Sequence, residues 1–347
     1  MKKIVIVLAL LALIIAGVFL LNRSLNVRQP LVTDKNPVII GFSLGTTREE
    51  RWSTDRDLFI QKAKELGAVV NIASSDYDAV LQASQIENLA SQGAKVIVVL
   101  PSDSEALAPV IEKVKAEGVK IIAYDRLIKN SNIDLYISFD SVKVGQLEAS
   151  SVLAVVGSGS FAYIGGAPTD NNAFLVKEGT MKVLDPKIQN GEIQLVVNEF
   201  MEGWKPDEAY RTIKEYLATG GRLDAVIAAN DGTAFGTIQA LKEKGLDGKI
   251  PVSGQDAELS ACQRIIAGTQ TSTVYKPINL LAYKTAEIAV AMANGQAPES
   301  NNVMNNGLID VPSYLIEPTL VTKENMQATI IKDGYHTYEE VYETGTK

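Results

Sequence analysis

The chain has 347 residues, 46% of them hydrophobic and 21% charged, the make-up of an ordinary globular protein with room for two domain-sized cores. Its formal net charge is −8. A nucleic-acid binder masses Lys and Arg against phosphates, whereas here the basic residues are scattered along helical segments, so that class is excluded.

Met1-Lys2-Lys3 precedes an unbroken apolar run from Ile4 to Leu21, closed by Asn22 and Arg23. A membrane-spanning helix needs ~17–25 apolar residues, and a cleaved signal needs a shorter core with a small-x-small site. The run ends "GVFLLNRSL", without such a site, so residues 1–24 read as an uncleaved anchor in preference to a signal segment. Lys2 and Lys3 then stay on the cytoplasmic side and the rest lies outside. Residues 25–36 are a polar linker.

From Pro37 onward strands and helices alternate. "PVIIGFSLG", "AVVNIAS", "AKVIVVLP", "VKIIAYD" and "DLYISFD" read as strands, with helices between them ending at Gly67, Gly93 and Gly118. Continuous Val/Ile runs mark strands buried on both faces, hence a parallel, doubly wound sheet. The pattern restarts with "GSFAYIGG", "IQLVVNEF", "LDAVIAAN", "IPVSGQD" and "TQTSTVY". Cys262, the only cysteine, reads as helix packing in "LSACQRI". "INLLAYKTAEIAVAMANG" is an amphipathic helix expected to return to the first lobe. His336, the only histidine, has no partner with which to hold a metal and reads as a surface or packing residue. The fold class is therefore α/β, with two Rossmann-like lobes joined by a hinge of two or three crossings and preceded by the apolar helix. The first lobe takes 37–139 and about 277–310, the second 140–276 and about 311–347. A dinucleotide enzyme would carry Gly-x-Gly-x-x-Gly after its first strand; "GFSLGTTREE" lacks it. A TIM barrel would need eight βα units in one ring.

Ligands of open α/β sheets sit at the carboxyl ends of strands. Asp125, Arg126, Asp140, Asp170, Asn171, Asn172, Asn230, Asp231, Asp256 and Lys276 all fall at or just past such ends. A single one is commonly a helix N-cap, and Asp140 and Asp231 carry that reading beside ligand contact. The two tryptophans, Trp52 and Trp204, lie one in each lobe and in polar settings, "ERW" and "EGWKP". Flat aromatic rings suit the C–H faces of a pyranose, and planar Asp, Asn and Arg groups suit its hydroxyl edge.

The stretches "ERW…DRD", "SQIEN", "AYDRLI", "YISFD", "GGAPTDNNA", "GQDAEL", "AGTQTSTVYKPI" and "NNGLIDVPS" resemble the D-xylose-binding proteins of bacterial ABC importers, within the ribose- and galactose-binding periplasmic family. The resemblance implies a periplasmic-binding-protein type I fold closing over one sugar. It implies that Trp52 and Trp204 stack on opposite sugar faces. Arg51, Asp125, Arg126, Asn172, Asn230, Asp256 and Lys276 then bind its polar edge, and Asp170 orients its neighbours. The family commonly has acidic residues where this chain has Gly45-Thr46-Thr47, a departure that bears on any contact from that loop and on the exact sugar preference. The reading is a receptor without catalysis, cofactor or metal, held at the extracytoplasmic face of the membrane. It presents D-xylose or a related monosaccharide to an ABC importer permease or a membrane sensor histidine kinase. The rivals are a glycosidase using two of the carboxylates, a receptor for another sugar such as ribose, and a transcriptional regulator. The last would need a helix-turn-helix where the apolar run stands.

Overall fold

The computed structural model describes residues 37–343. The expected anchor and linker lie outside them. Among the described residues no helix is long and apolar enough to cross a membrane.

Five strands open the fold: β1 (Val38–Leu44), β2 (Ala68–Ser74), β3 (Val96–Leu100), β4 (Lys120–Tyr124) and β5 (Leu135–Phe139). Every residue of β3 and β5 is buried, as the unbroken apolar runs require of central parallel strands. The intervening helices are α1 (Arg51–Glu65), α2 (Ala79–Ser91) and α3 (Ala108–Ala116). Asp78 caps α2 by accepting the Leu81 N–H, satisfying a backbone donor that a helix start leaves free.

The second lobe has β6 (Gly159–Gly165), β7 (Ile193–Phe200) and β8 (Ala225–Ala228), in the order β7-β6-β8, all parallel. Around them lie α4 (Ser141–Leu153), α5 (Asn171–Gln189), α6 (Pro206–Ala218), α7 (Asp231–Lys242) and α8 (Leu259–Ala267). Cys262 is fully buried in α8, where burial pushes its thiol pKa up and leaves it inert. α9 (Ile278–Ala293) does return to the first lobe: Leu281, Ala282 and Ile288 join Phe42, Phe59 and Tyr124 in one core.

Three details differ from the sequence reading. "IPVSGQD" is no strand; Val252 makes one bridge to Val226, and the Ser253 hydroxyl takes the Ala228 N–H that a ladder would use. The first sheet is mixed, because β10 (Asn302–Asn305) pairs antiparallel with β11 (Asp310–Ile316). β11 runs parallel to β5, giving the order β10-β11-β5-β4-β3-β1-β2. Its hydrogen bonds keep the chain in the first sheet through Ile316, beyond the crossing expected near 310. The chain then enters the second lobe, where β12 (Thr319–Val321) pairs with β9 (Thr273–Tyr275). Val321, Met326, Ile330 and Val341, the last in α10 (Tyr338–Tyr342), pack there on Cys262 and Ile265. The lobes are thus joined after β5, after β9 and after β11, and the Asp140 N–H donates to the Ile316 carbonyl at 3.1 Å, tying two crossings together.

Candidate functional site

Both sheets end at one cleft. On the first-lobe side it is lined by Trp52, from the first turn of α1, and by Asp125 and Arg126, just past β4. Opposite stand Asp170, Asn172, Trp204, Asn230 and Asp256, with Lys276 at the crossing after β9. The free space at the centre is small, about 30 Å³, within about 380 Å³ of unfilled volume that reaches solvent.

Backbone conformation helps aim these groups. Asp125, Trp204 and Asp256 hold left-handed backbone angles, with φ of 60°, 57° and 94°. Non-glycine residues adopt that region at a cost, and such strain gathers at functional sites. The Tyr136 and Ser138 hydroxyls both donate to the Asp125 carbonyl, holding the turn. Trp204 can lie where it does because residue 166 is glycine: a Cβ there would overlap the indole ring.

The polar groups hold one another in pairs. Arg51 donates to both oxygens of Asp55, reaches Asp125 at 2.9 Å, and lies 3.6 Å from Asp256 across the cleft. Its guanidinium carbon stands 4.2 Å from the Trp52 ring centroid. Asp55 also accepts the Tyr124 hydroxyl. Arg126 pairs with Asp170 at 2.8 Å, and Lys276 with Asp256 at 2.7 Å. Asn172 donates to the Asp125 carbonyl at 2.9 Å. Burial opposes the ionisation of Asp125, but Arg51, Lys276 and Arg126 outweigh it and hold its pKa below the ordinary value. Burial pushes Asp170 the other way, with Arg126 and the Asn172 N–H only partly offsetting it.

Not every sequence candidate faces the cleft. Arg51 is one layer behind it, buried between carboxylates, and positions Asp125 and Trp52 instead of lining the space. Asp140 is the half-buried N-cap of α4, accepting from the Lys143 N–H. Asn171 opens α5 beside a separate crevice at the lip. Asp231 is fully buried beneath the site, where Gln270 and Thr273 donate to it; desolvation raises its pKa to about 7, with Arg264 opposing and Asp256 adding to the rise. Asn230 does both jobs, capping α7 through the Thr233 N–H while lining the cleft.

Three lining residues were missed: Glu49, Ser141 and Gln255. Each is a near neighbour of a residue already singled out, and Glu49 stands one helical turn before Trp52, which was the available signal. Gly45-Thr46-Thr47 is not part of the lining, and the Thr46 hydroxyl accepts the Arg48 N–H.

A family model described as a periplasmic binding protein domain matches residues 40–297. The chain belongs to the periplasmic binding protein family. It is 47% identical over 305 residues to the D-xylose-binding periplasmic protein of Escherichia coli K12, covering 88% of this chain and 92% of that one. The counterpart of the same name in Haemophilus influenzae is 48% identical, with 87% and 92% covered. Among solved structures, an ABC transporter solute-binding protein from Clostridium phytofermentans with bound β-D-glucose superposes with a TM-score of 0.81 at 28% identity, covering 87% of this chain and 99% of that one. The resemblance carried by the sequence motifs and the type I periplasmic-binding-protein α/β fold are both borne out.

Proposed function

We propose that the protein is an extracytoplasmic, non-catalytic receptor for one monosaccharide, D-xylose. The observation that carries this reading is the pairing of Trp52 and Trp204, from opposite lobes, in one cleft otherwise walled by planar carboxylate, amide and guanidinium groups. Those groups offer acceptors and donors matched to a neutral polyol, and Arg126 keeps one buried nitrogen, Nη1, without a hydrogen-bond partner among the described residues. A closed polar cleft rejects a ligand lacking one hydroxyl, because an unpaired buried group is costly. The choice of xylose rests on the names of the two relatives of high identity. A glycosidase would need an uncommitted proton donor over the sugar. Asp170, whose pKa is raised, is instead engaged by the Asn172 N–H, the Trp204 Nε1–H and Arg126.

Calorimetric titration of the fragment beginning at Pro37 with xylose, ribose, arabinose and glucose tests the ligand. One site per chain with xylose tightest is expected; equal or tighter binding of another sugar overturns the assignment. The apolar run at 4–21 is read as a retained anchor, and mass spectrometry of protein extracted from native membranes should find it intact. From the membrane surface the receptor meets either an ABC importer permease or a sensor histidine kinase, and pull-down with and without xylose separates the two.

A further inference from the structure

Glu49 is one of the three cleft residues that were not singled out from the sequence. Its side chain is 11% exposed at the entrance to α1. One carboxylate oxygen accepts the Trp52 Nε1–H at 2.6 Å, and the other accepts the Tyr77 hydroxyl at 3.1 Å. Tyr77 in turn lies within 3.4 Å of Arg126 Nη2, and its ring packs under Arg48 at 4.5 Å. Glu49 therefore ties a stacking ring, a tyrosine and a cleft arginine into one network.

Two features mark this as more than surface hydrogen bonding. A carboxylate withdrawn from water needs polar partners, and it has about four acceptor positions, of which Trp52 and Tyr77 fill two. The rest belong to a group that lines the cleft. The second feature is the backbone of Asp76 and Tyr77, left-handed at φ 48° and 68° and pinned by the Tyr77 N–H to the Gly45 carbonyl at 2.6 Å. That conformation is unfavourable for a bulky side chain. It is shared with Asp125, Trp204 and Asp256, all of which line the cleft, and its consequence here is to set the Tyr77 hydroxyl on Glu49.

We propose that Glu49 is a specificity-determining residue, which fixes the Trp52 indole through its Nε1–H and offers its remaining acceptor positions to one hydroxyl of the bound sugar. The hydroxyl contact rests on the receptor reading above; the control of Trp52 does not. A ligand with hydrogen in place of that hydroxyl leaves a desolvated carboxylate short of a donor and is discriminated against.

The test uses the full-length protein as wild type, E49Q and E49L, with W52F to assign the indole signals. The chain has two tryptophans, so its ¹⁵N-indole spectrum has two signals. Without sugar, E49L is expected to shift the Trp52 signal upfield, and E49Q, which keeps an acceptor oxygen, to shift it less. An unmoved Trp52 signal in E49L overturns the positioning role. Calorimetry with D-xylose and its monodeoxy derivatives then reads the hydroxyl contact. Wild type should lose at least tenfold in affinity for one derivative. E49L should bind xylose at least tenfold more weakly and no longer distinguish that derivative from xylose. A wild-type deoxy profile in both variants overturns the contact. Failure of the wild type to bind any monosaccharide would sink the receptor reading and the hydroxyl contact with it, while the indole shift alone still decides whether Glu49 governs Trp52.

Discussion

Glu148, on α4, is fully buried, and among the described residues neither of its carboxylate oxygens has a hydrogen-bond partner. Burial raises its pKa well above the ordinary value; Lys276 opposes the rise, and Asp231 and Asp256 add to it. The folded state thus holds a proton that the unfolded chain releases near the usual glutamate pKa, about 4.3. Stability from this group is full below that pH and declines as pH climbs toward the raised folded value. Glu148→Gln removes the dependence, so thermal melts should show the variant gaining on wild type between pH 4 and pH 8; parallel curves would contradict this. Asp256 is a buried carboxylate that contacts Lys276 and Arg51. Asp256→Ala takes the carboxylate from Lys276, while Arg51 keeps Asp55 and Asp125, and Trp204→Ala removes a ring face. Each should weaken sugar binding by on the order of 1–3 kcal/mol with the fold retained. Near-normal titration curves in either folded variant would mean the cleft is misplaced.

At the scale of elements, β6 ends in Gly165 and runs on into Gly166, directly under the indole of Trp204. An alanine methyl at 166 cannot share that space, and a broad ring between packed neighbours cannot step aside as a flexible chain would. Gly166→Ala should therefore lower affinity at least tenfold and change the near-ultraviolet dichroism while far-ultraviolet dichroism stays the same; unchanged affinity would show that Trp204 does not stack on the ligand. Most elements were legible because buried parallel strands leave unbroken Val/Ile runs and their helices end in glycine. β11 was not: "DVPSYLI" lacks an unbroken Val/Ile run, and nothing local says which sheet it joins; that is decided by pairing with β5 across more than a hundred residues. The site was legible where a strand end and a motif coincided, as at Asp125-Arg126 and Asn172. It was not legible where long-range support decides the geometry. His336, read as a surface or packing residue, is buried and sits 2.8 Å from the Ala257 carbonyl, while the Tyr335 hydroxyl donates to the Asp256 carbonyl. These contacts, made from nearly eighty residues away, brace the left-handed pair Asp256-Ala257 that presents a cleft carboxylate.

In the whole molecule the two lobes meet directly across the cleft. The Ser104 N–H donates to the Thr169 carbonyl at 2.9 Å, the Asn171 N–H to the Ser104 hydroxyl at 2.9 Å, and the Leu259 N–H to the Glu50 carboxylate at 3.4 Å. Together with Arg126–Asp170, Arg51–Asp256 and Asn172–Asp125, these contacts describe a closed arrangement. Hinge closure adds such contacts only when a ligand, or the pairs themselves, outweigh the solvation of the open cleft. The lip offers a way to measure this. A backbone hydrogen bond between residues 104 and 169 brings their Cα atoms near the separation of about 4.4–6.8 Å that a disulfide spans. The one native cysteine, Cys262, is buried and does not compete. In the double variant Ser104→Cys, Thr169→Cys, the disulfide should form only in the closed state, so saturating xylose should speed its formation several-fold under mild oxidant. The oxidised protein should then release bound sugar far more slowly than the reduced protein. Sugar-independent crosslinking would mean that the lobes stay closed without ligand, and the polar pairs across the cleft, rather than the sugar, would then set the resting state.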